Sequence, residues 1–85
     1  MARYRLLFKK SVAKDLCALP KNDVHRILKR IEALPDDPRP DGCEKLTEQE
    51  RYRVRQGSYR VVYEIKDEML VVTVVRVAHR SEVYR

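Results

Sequence analysis

Four arginines lie within one short stretch of this chain, three of them at alternate positions. Residues 51–65 run Arg-Tyr-Arg-Val-Arg-Gln-Gly-Ser-Tyr-Arg-Val-Val-Tyr-Glu-Ile. Arginine binds phosphate through two hydrogen bonds and keeps its charge at ordinary pH. The cluster is therefore suited to holding a phosphodiester and to stabilising the extra negative charge of its transition state. Arginine is a poor general base, because it stays protonated.

Two residues near the end of the chain add groups that transfer protons. Histidine side chains change charge near neutral pH, so His79 is a candidate for moving a proton. Tyr84 has a hydroxyl and a flat ring that stacks on bases. The sequence contains neither the clustered carboxylates of a metal site nor a glycine-rich nucleotide loop, so we predict no metal and no cofactor. The chemistry that fits is metal-free cleavage of RNA, in which the 2′-hydroxyl attacks the neighbouring phosphate. The candidate catalytic residues are Arg53, Arg55, Arg60, His79, Arg80 and Tyr84, and the candidate RNA-binding residues are Arg51, Lys45 and Arg85.

A β-hairpin positions the arginines. Apolar and basic residues alternate, which is typical of a strand with one buried face. Gly57-Ser58 is suited to a two-residue type II′ turn, because glycine supplies the positive φ of its first position. This turn predicts Arg55 opposite Arg60, with the arginines on one face of the hairpin and the tyrosines on the other.

The next turn determines where the final strand places its side chains. A two-residue turn at Asp67-Glu68 would put Arg60 opposite Val75. We then expect Val75, Val77 and His79 on the arginine-bearing face and Arg76 on the core-facing side.

Each candidate also has a purely structural interpretation. Arg51 would pair with Glu64 opposite it, and the other first-strand arginines would form a solvated face. His79 would be a capping or structural histidine. Tyr84 would only anchor the tail to the sheet.

The remaining segments predict a single α+β domain over residues 1–85. It comprises an N-terminal strand and an α-helical hairpin packed on a mainly antiparallel four-stranded sheet. The other elements are a strand at 4–8, a helix from Ser11, a second helix at about 22–34, a turn-rich loop at 35–42 and a central final strand at 69–77.

Composition narrows the class of partner. The 85-residue chain has a formal net charge of +6, which favours nucleic acid, an acidic protein or a membrane surface as partner, although a merely soluble basic protein also fits. No apolar run approaches the roughly 20 residues of a membrane span, and the N-terminus lacks a signal-peptide core. Cys17 and Cys43 lack metal-ligand spacing. We expect a cytoplasmic protein with free thiols that does not associate with membranes.

Together, residues 51–65, residues 74–85 and the break at 34–38 closely resemble the RelE branch of the RelE/ParE toxin superfamily. The resemblance covers essentially the whole chain. It implies a type II toxin that cleaves mRNA in the A site of the 70S ribosome and so stops translation. It also implies a cognate acidic antitoxin that wraps the toxin, and a toxin–antitoxin complex that binds operator DNA.

The resemblance also implies roles for individual residues. The family's two basic second-strand residues fall on Arg53 and Arg55, and its transition-state arginine falls on Arg60. Its C-terminal tyrosine falls on Tyr84, and a further basic residue matches Arg80 or His79. Some members have lysine where this chain has Arg53 and Arg55. Because arginine is the weaker base, we expect His79 to accept the proton here, as a histidine does in related toxins.

Two other functions remain compatible with the residues. One is a non-nuclease toxin of the same fold, such as a ParE-like inhibitor of DNA gyrase. The other is a non-catalytic module that binds RNA or DNA through the basic face.

Overall fold

A computed structural model of the chain describes residues 3–46 and 50–79. In chain order the helices and strands are β1 (Arg5–Phe8), α1 (Lys10–Cys17), α2 (Lys21–Glu32), β2 (Glu44–Lys45), β3 (Arg51–Gln56), β4 (Tyr59–Lys66) and β5 (Val71–His79). Neither helix in these two ranges is long and apolar enough to cross a bilayer.

The strands form one sheet in the order β1-β5-β4-β3-β2. β1 runs parallel to β5, and the other neighbouring pairs are antiparallel. The predicted α+β class, with two helices on a mainly antiparallel sheet, is confirmed. Within residues 3–46 and 50–79 the sheet has five strands rather than the predicted four. The extra strand, β2, is only two residues long, too short to produce an alternating pattern in the sequence. β5 lies inside the sheet as predicted, but it starts at Val71.

Both helices cover the same face of the sheet. Ile27 and Ile31 are one helical turn apart on α2, and both are fully buried. They belong to a core formed by the buried residues Val12, Ile27, Ile31, Leu34, Tyr52, Val54, Val61, Tyr63, Ile65, Val72, Val74 and Val77. The apolar positions of β3 and β4 therefore face the helices, and the alternate positions face the other way.

The predicted hairpin register is confirmed. Arg55 lies opposite Arg60, Tyr52 opposite Tyr63, and β3 and β4 are joined at Gly57-Ser58. Gly57 has a φ of 59°, the left-handed value that its place in the turn requires.

The turn before β5 is longer than predicted. Asp67–Met69 form a short 3-10 helix, and Leu70 follows in the left-handed region with a φ of 53°. As a result Ile65 lies opposite Val72 rather than Leu70. A shift of two residues leaves every side chain on its expected face, because side chains alternate with period two.

A β-bulge in β5 then reverses that alternation. Tyr63 lies opposite Val74, whereas Val62 lies opposite Arg76, so Val75 is the extra residue. Beyond it the predicted faces are wrong, since one added residue moves each following side chain to the other side of the sheet.

Three predicted positions change as a consequence. Val77 pairs with Val61 and is buried in the core. Arg76 leaves the core-facing side and is exposed. His79 pairs with Tyr59 and moves to the helix-covered side.

Asp67 fixes the loop that leads from α2 to β2. Tyr4 Oη donates to Asp67 Oδ1 at 2.6 Å, and Arg39 Nη1 and Nη2 donate to Asp67 Oδ1 and Oδ2 at 3.2 and 2.8 Å. Arg39 Nε also donates to Tyr52 Oη at 3.2 Å. Tyr63 Oη donates to the Pro38 carbonyl at 2.7 Å. These contacts hold the loop, and hence the start of β2, against the sheet.

Asp67→Asn should lower the thermal unfolding midpoint at neutral pH. The hydrogen bonds from Arg39 and then Tyr4 hold the pKa of Asp67 below its usual value. A lowered folded-state pKa contributes stability above the unfolded-state value, and that stability is lost as pH falls through the folded-state pKa. The difference in unfolding midpoint between wild type and Asp67→Asn should therefore become smaller at acid pH. Thermal melts from neutral to acid pH test this, with the exposed neighbour Glu68→Gln as control; equal midpoints at neutral pH would contradict it.

Candidate active site

Among the described residues of β3, β4 and β5, five arginines lie on the sheet surface turned away from the helices, and we call this part of the surface the arginine face. Its members are Arg51, Arg53 and Arg55 on β3, Arg60 on β4 and Arg76 on β5. Opposite residues in adjacent strands share a face. Arg53, Val62 and Arg76 therefore form one row across the sheet, and Arg55, Arg60 and Ala78 form the next.

Arg60 lies on this face, in the row nearest the hairpin turn, and is only 4% exposed. Its Nη1 donates to the Tyr59 carbonyl at 3.3 Å. Arg55 is directly opposite, although like charges in that arrangement destabilise a hairpin. A buried arginine beside a second arginine is typical of a site that receives an anion.

In the described part of the chain, two carboxylates share the arginine face. Glu64 Oε2 lies 3.0 Å from Arg51 Nε, so the predicted Arg51–Glu64 pair is confirmed. Glu44 Oε2 lies 2.7 Å from Arg53 Nη2. Among the described residues, five arginines against two carboxylates leave the face with an excess of positive charge.

Glu44 is a residue that the sequence reasoning missed. Arg53 lowers the pKa of Glu44, first through their hydrogen bond and then through its charge, and the charges of Arg55 and Arg60 lower it further. No local pattern marks this glutamate, because only the pairing of the two-residue β2 with β3 puts it opposite Arg53.

His79 does not lie on the arginine face, so its predicted placement there is wrong. Its ring meets the Tyr59 ring edge to face, with centroids 5.8 Å apart. Tyr59 Oη donates to Asp23 Oδ2 at 3.0 Å, which raises the pKa of Tyr59. These three residues and Arg26 line a cleft of about 370 Å³ at the hairpin end of the sheet.

The other predicted site residues fall elsewhere. Lys45 pairs with Tyr52, so its register places it on the helix-covered side rather than on the arginine face. Arg80, Tyr84 and Arg85 lie outside the described residues. The structure thus brings together Arg51, Arg53, Arg55 and Arg60, adds Arg76 and Glu44, and separates His79 and Lys45 from them.

A family model and a curated relative match this chain. Residues 6–84 match the family described as the ParE toxin of the type II toxin–antitoxin system parDE. Toxin RelG of Mycobacterium tuberculosis (strain ATCC 25618 / H37Rv) is 44% identical over 34 residues, which span 40% of this chain and 39% of that relative.

Solved structures match over nearly the whole chain. The RelBE2 toxin–antitoxin complex of M. tuberculosis contains a chain with a TM-score of 0.81 and 27% identity, covering 95% of each chain. The archaeal RelE–RelB complex of Pyrococcus horikoshii OT3 gives 0.79 and 30%, covering 92% of this chain and 96% of that one. The isolated E. coli RelE toxin gives 0.79 and 28%, covering 95% and 90%.

Proposed function

Since the chain belongs to the RelE/ParE superfamily of toxins of type II toxin–antitoxin systems, we propose that it is a ribosome-dependent endoribonuclease. It cleaves mRNA in the ribosomal A site and so stops translation. The observation that carries this proposal is the buried Arg60 directly opposite Arg55 on the arginine face. The structural similarity to RelE chains supports it.

In this proposal the protein supplies charge and positioning. Arg53 and Arg55 bind the scissile phosphate, and Arg60 stabilises the negative charge that accumulates as the 2′-hydroxyl attacks. The products are a 2′,3′-cyclic phosphate and a 5′-hydroxyl. Tyr84 protonates the leaving oxygen or stacks on a base, and Arg80 adds charge or holds the leaving group. His79 has no proton-transfer role here, because it lies on the other side of the sheet.

The proposed partners follow from the same surface. The toxin binds the 70S ribosome with mRNA in the A site, and the ribosome positions the RNA for attack. A cognate RelB-like antitoxin is acidic where it meets the arginine face, since it must offset the same excess of positive charge as the RNA. The toxin–antitoxin complex binds operator DNA.

The test is to add the purified toxin to ribosomes programmed with a defined mRNA and map the new RNA ends. We expect breaks within the A-site codon that end in a 2′,3′-cyclic phosphate, and inhibition of cleavage by the antitoxin.

The matching family is described as ParE, which favours gyrase inhibition as the second candidate. A gyrase inhibitor would leave the mRNA intact and cause DNA damage in cells. A module that only binds nucleic acid would leave the mRNA intact and would not arrest growth.

A further inference from the structure

We infer that Glu44 is the proton acceptor of the reaction and takes the proton from the attacking 2′-hydroxyl. This inference rests on the proposed function. It assigns a catalytic role to a side chain that neither the sequence pattern nor the arginine cluster indicates by itself.

The reaction needs a base that the arginines do not provide. Guanidinium groups stay protonated at neutral pH, and the predicted base, His79, faces the helix-covered side with its ring against Tyr59. Among the described residues of the arginine face, the side chains able to accept a proton at neutral pH are Glu44 and Glu64.

Position separates these two carboxylates. Glu64 is four residues from Arg60 along β4, or roughly 13 Å at the rise of a strand, and its carboxylate binds Arg51. Glu44 is in the row next to Arg55 and Arg60 and binds Arg53. A phosphate held by those three arginines therefore lies beside Glu44, with Glu64 one row farther away.

The surroundings of Glu44 suit this role. Its side chain is 51% exposed, so a ribose hydroxyl has access to the free carboxylate oxygen. The bond from Arg53 orients the carboxylate and lowers its pKa, which keeps it ionised at neutral pH. A carboxylate of low pKa is a weak base, but the neighbouring guanidinium groups stabilise the charge that develops on the attacking oxygen and the phosphate.

The step balances without a metal or cofactor. The 2′-hydroxyl proton passes to a Glu44 carboxylate oxygen while O2′ forms a bond to phosphorus. The P–O5′ bond breaks, its electron pair stays on O5′, and that oxygen takes a proton from Tyr84 or water. Glu44 then returns its proton to solvent.

Glu44→Gln keeps the size of the side chain and removes its basicity. We expect the single-turnover cleavage rate on programmed ribosomes to fall about 10²-fold or more, while the toxin concentration for half-maximal rate stays unchanged. Glu44→Asp should restore part of the rate. Glu68→Gln, an exposed carboxylate beyond β4, removes the same charge away from the arginine face and is the matched control. Thermal melts and antitoxin binding check that the variants fold.

A pH profile gives a second readout. The charged groups facing Glu44 are Arg53 and Arg55 from β3 and Arg60 from β4, and guanidinium groups as a class keep their charge across the pH range of the assay. The wild-type rate should fall only in acid, where Glu44 gains a proton. The residual rate of Glu44→Gln should instead rise with pH, because hydroxide replaces the missing base.

The outcomes separate this inference from the proposed function. If wild type cleaves and Glu44→Gln cleaves as fast, Glu44 is not the acceptor. If the variant is faster or binds more tightly, the carboxylate competes with phosphate for Arg53 and the inference is overturned. If wild type itself leaves the mRNA uncut, the proposed nuclease function is contradicted, and the role of Glu44 in that reaction is contradicted with it.

Discussion

Arg60→Ala should reduce mRNA cleavage by about 10²–10³-fold, the usual loss when one preorganised group that stabilises transition-state charge is removed. Arg60 is buried on the arginine face, 4% exposed, and its guanidinium donates to the Tyr59 carbonyl. A group fixed in this way costs little reorganisation when the phosphate gains charge. The measurement is the single-turnover rate on programmed ribosomes, with growth arrest after induction as the cellular readout.

Two further variants separate the effect of the guanidinium geometry of Arg60 from the effect of positive charge alone. Arg60→Lys keeps the positive charge but loses bidentate binding, so it should recover only part of the rate. Lys29→Ala removes one positive charge from the exposed side of α2 and should cleave like wild type. Growth arrest by Arg60→Ala equal to that of wild type would remove Arg60 from the mechanism.

Ile27→Ala should lower the free energy of unfolding by about 2–5 kcal/mol, through lost apolar burial and the cavity left behind. Ile27 is fully buried between α2 and the sheet. For a domain of this size each kcal/mol shifts the melting midpoint by about 4–8 °C. Chemical and thermal unfolding of the purified toxin measure the loss, and activity should fall only as far as the folded population does.

Lys29→Ala is again the control, because it makes the same change to alanine two residues along α2 at an exposed position. Its stability should stay within about 0.5 kcal/mol of wild type, as is usual for surface changes. If both variants unfold at the same denaturant concentration, the packing of α2 on the sheet does not stabilise the domain as described.

The hairpin was predictable from the sequence because it depends on local chemistry. Arginine and apolar residues alternate, and Gly57 marks the turn, so the pairing of Arg55 with Arg60 and of Arg51 with Glu64 follows from counting outward. Ile27 and Ile31 are four residues apart and apolar, a spacing that also indicates which side of α2 is buried.

Which other residues lie with the β3 and β4 arginines at the site was decided only by the tertiary structure. The bulge at Val75 depends on packing between β4 and β5, and it moves Arg76 onto the arginine face and His79 off it. Glu44 contacts Arg53 because the loop that Asp67 binds places the two-residue strand β2 at the edge of the sheet. Local patterns determine which residues of one strand share a face of the sheet. Whether residues of distant strands lie on that same face depends on long-range pairing, in which a single extra residue moves the following side chains to the opposite face.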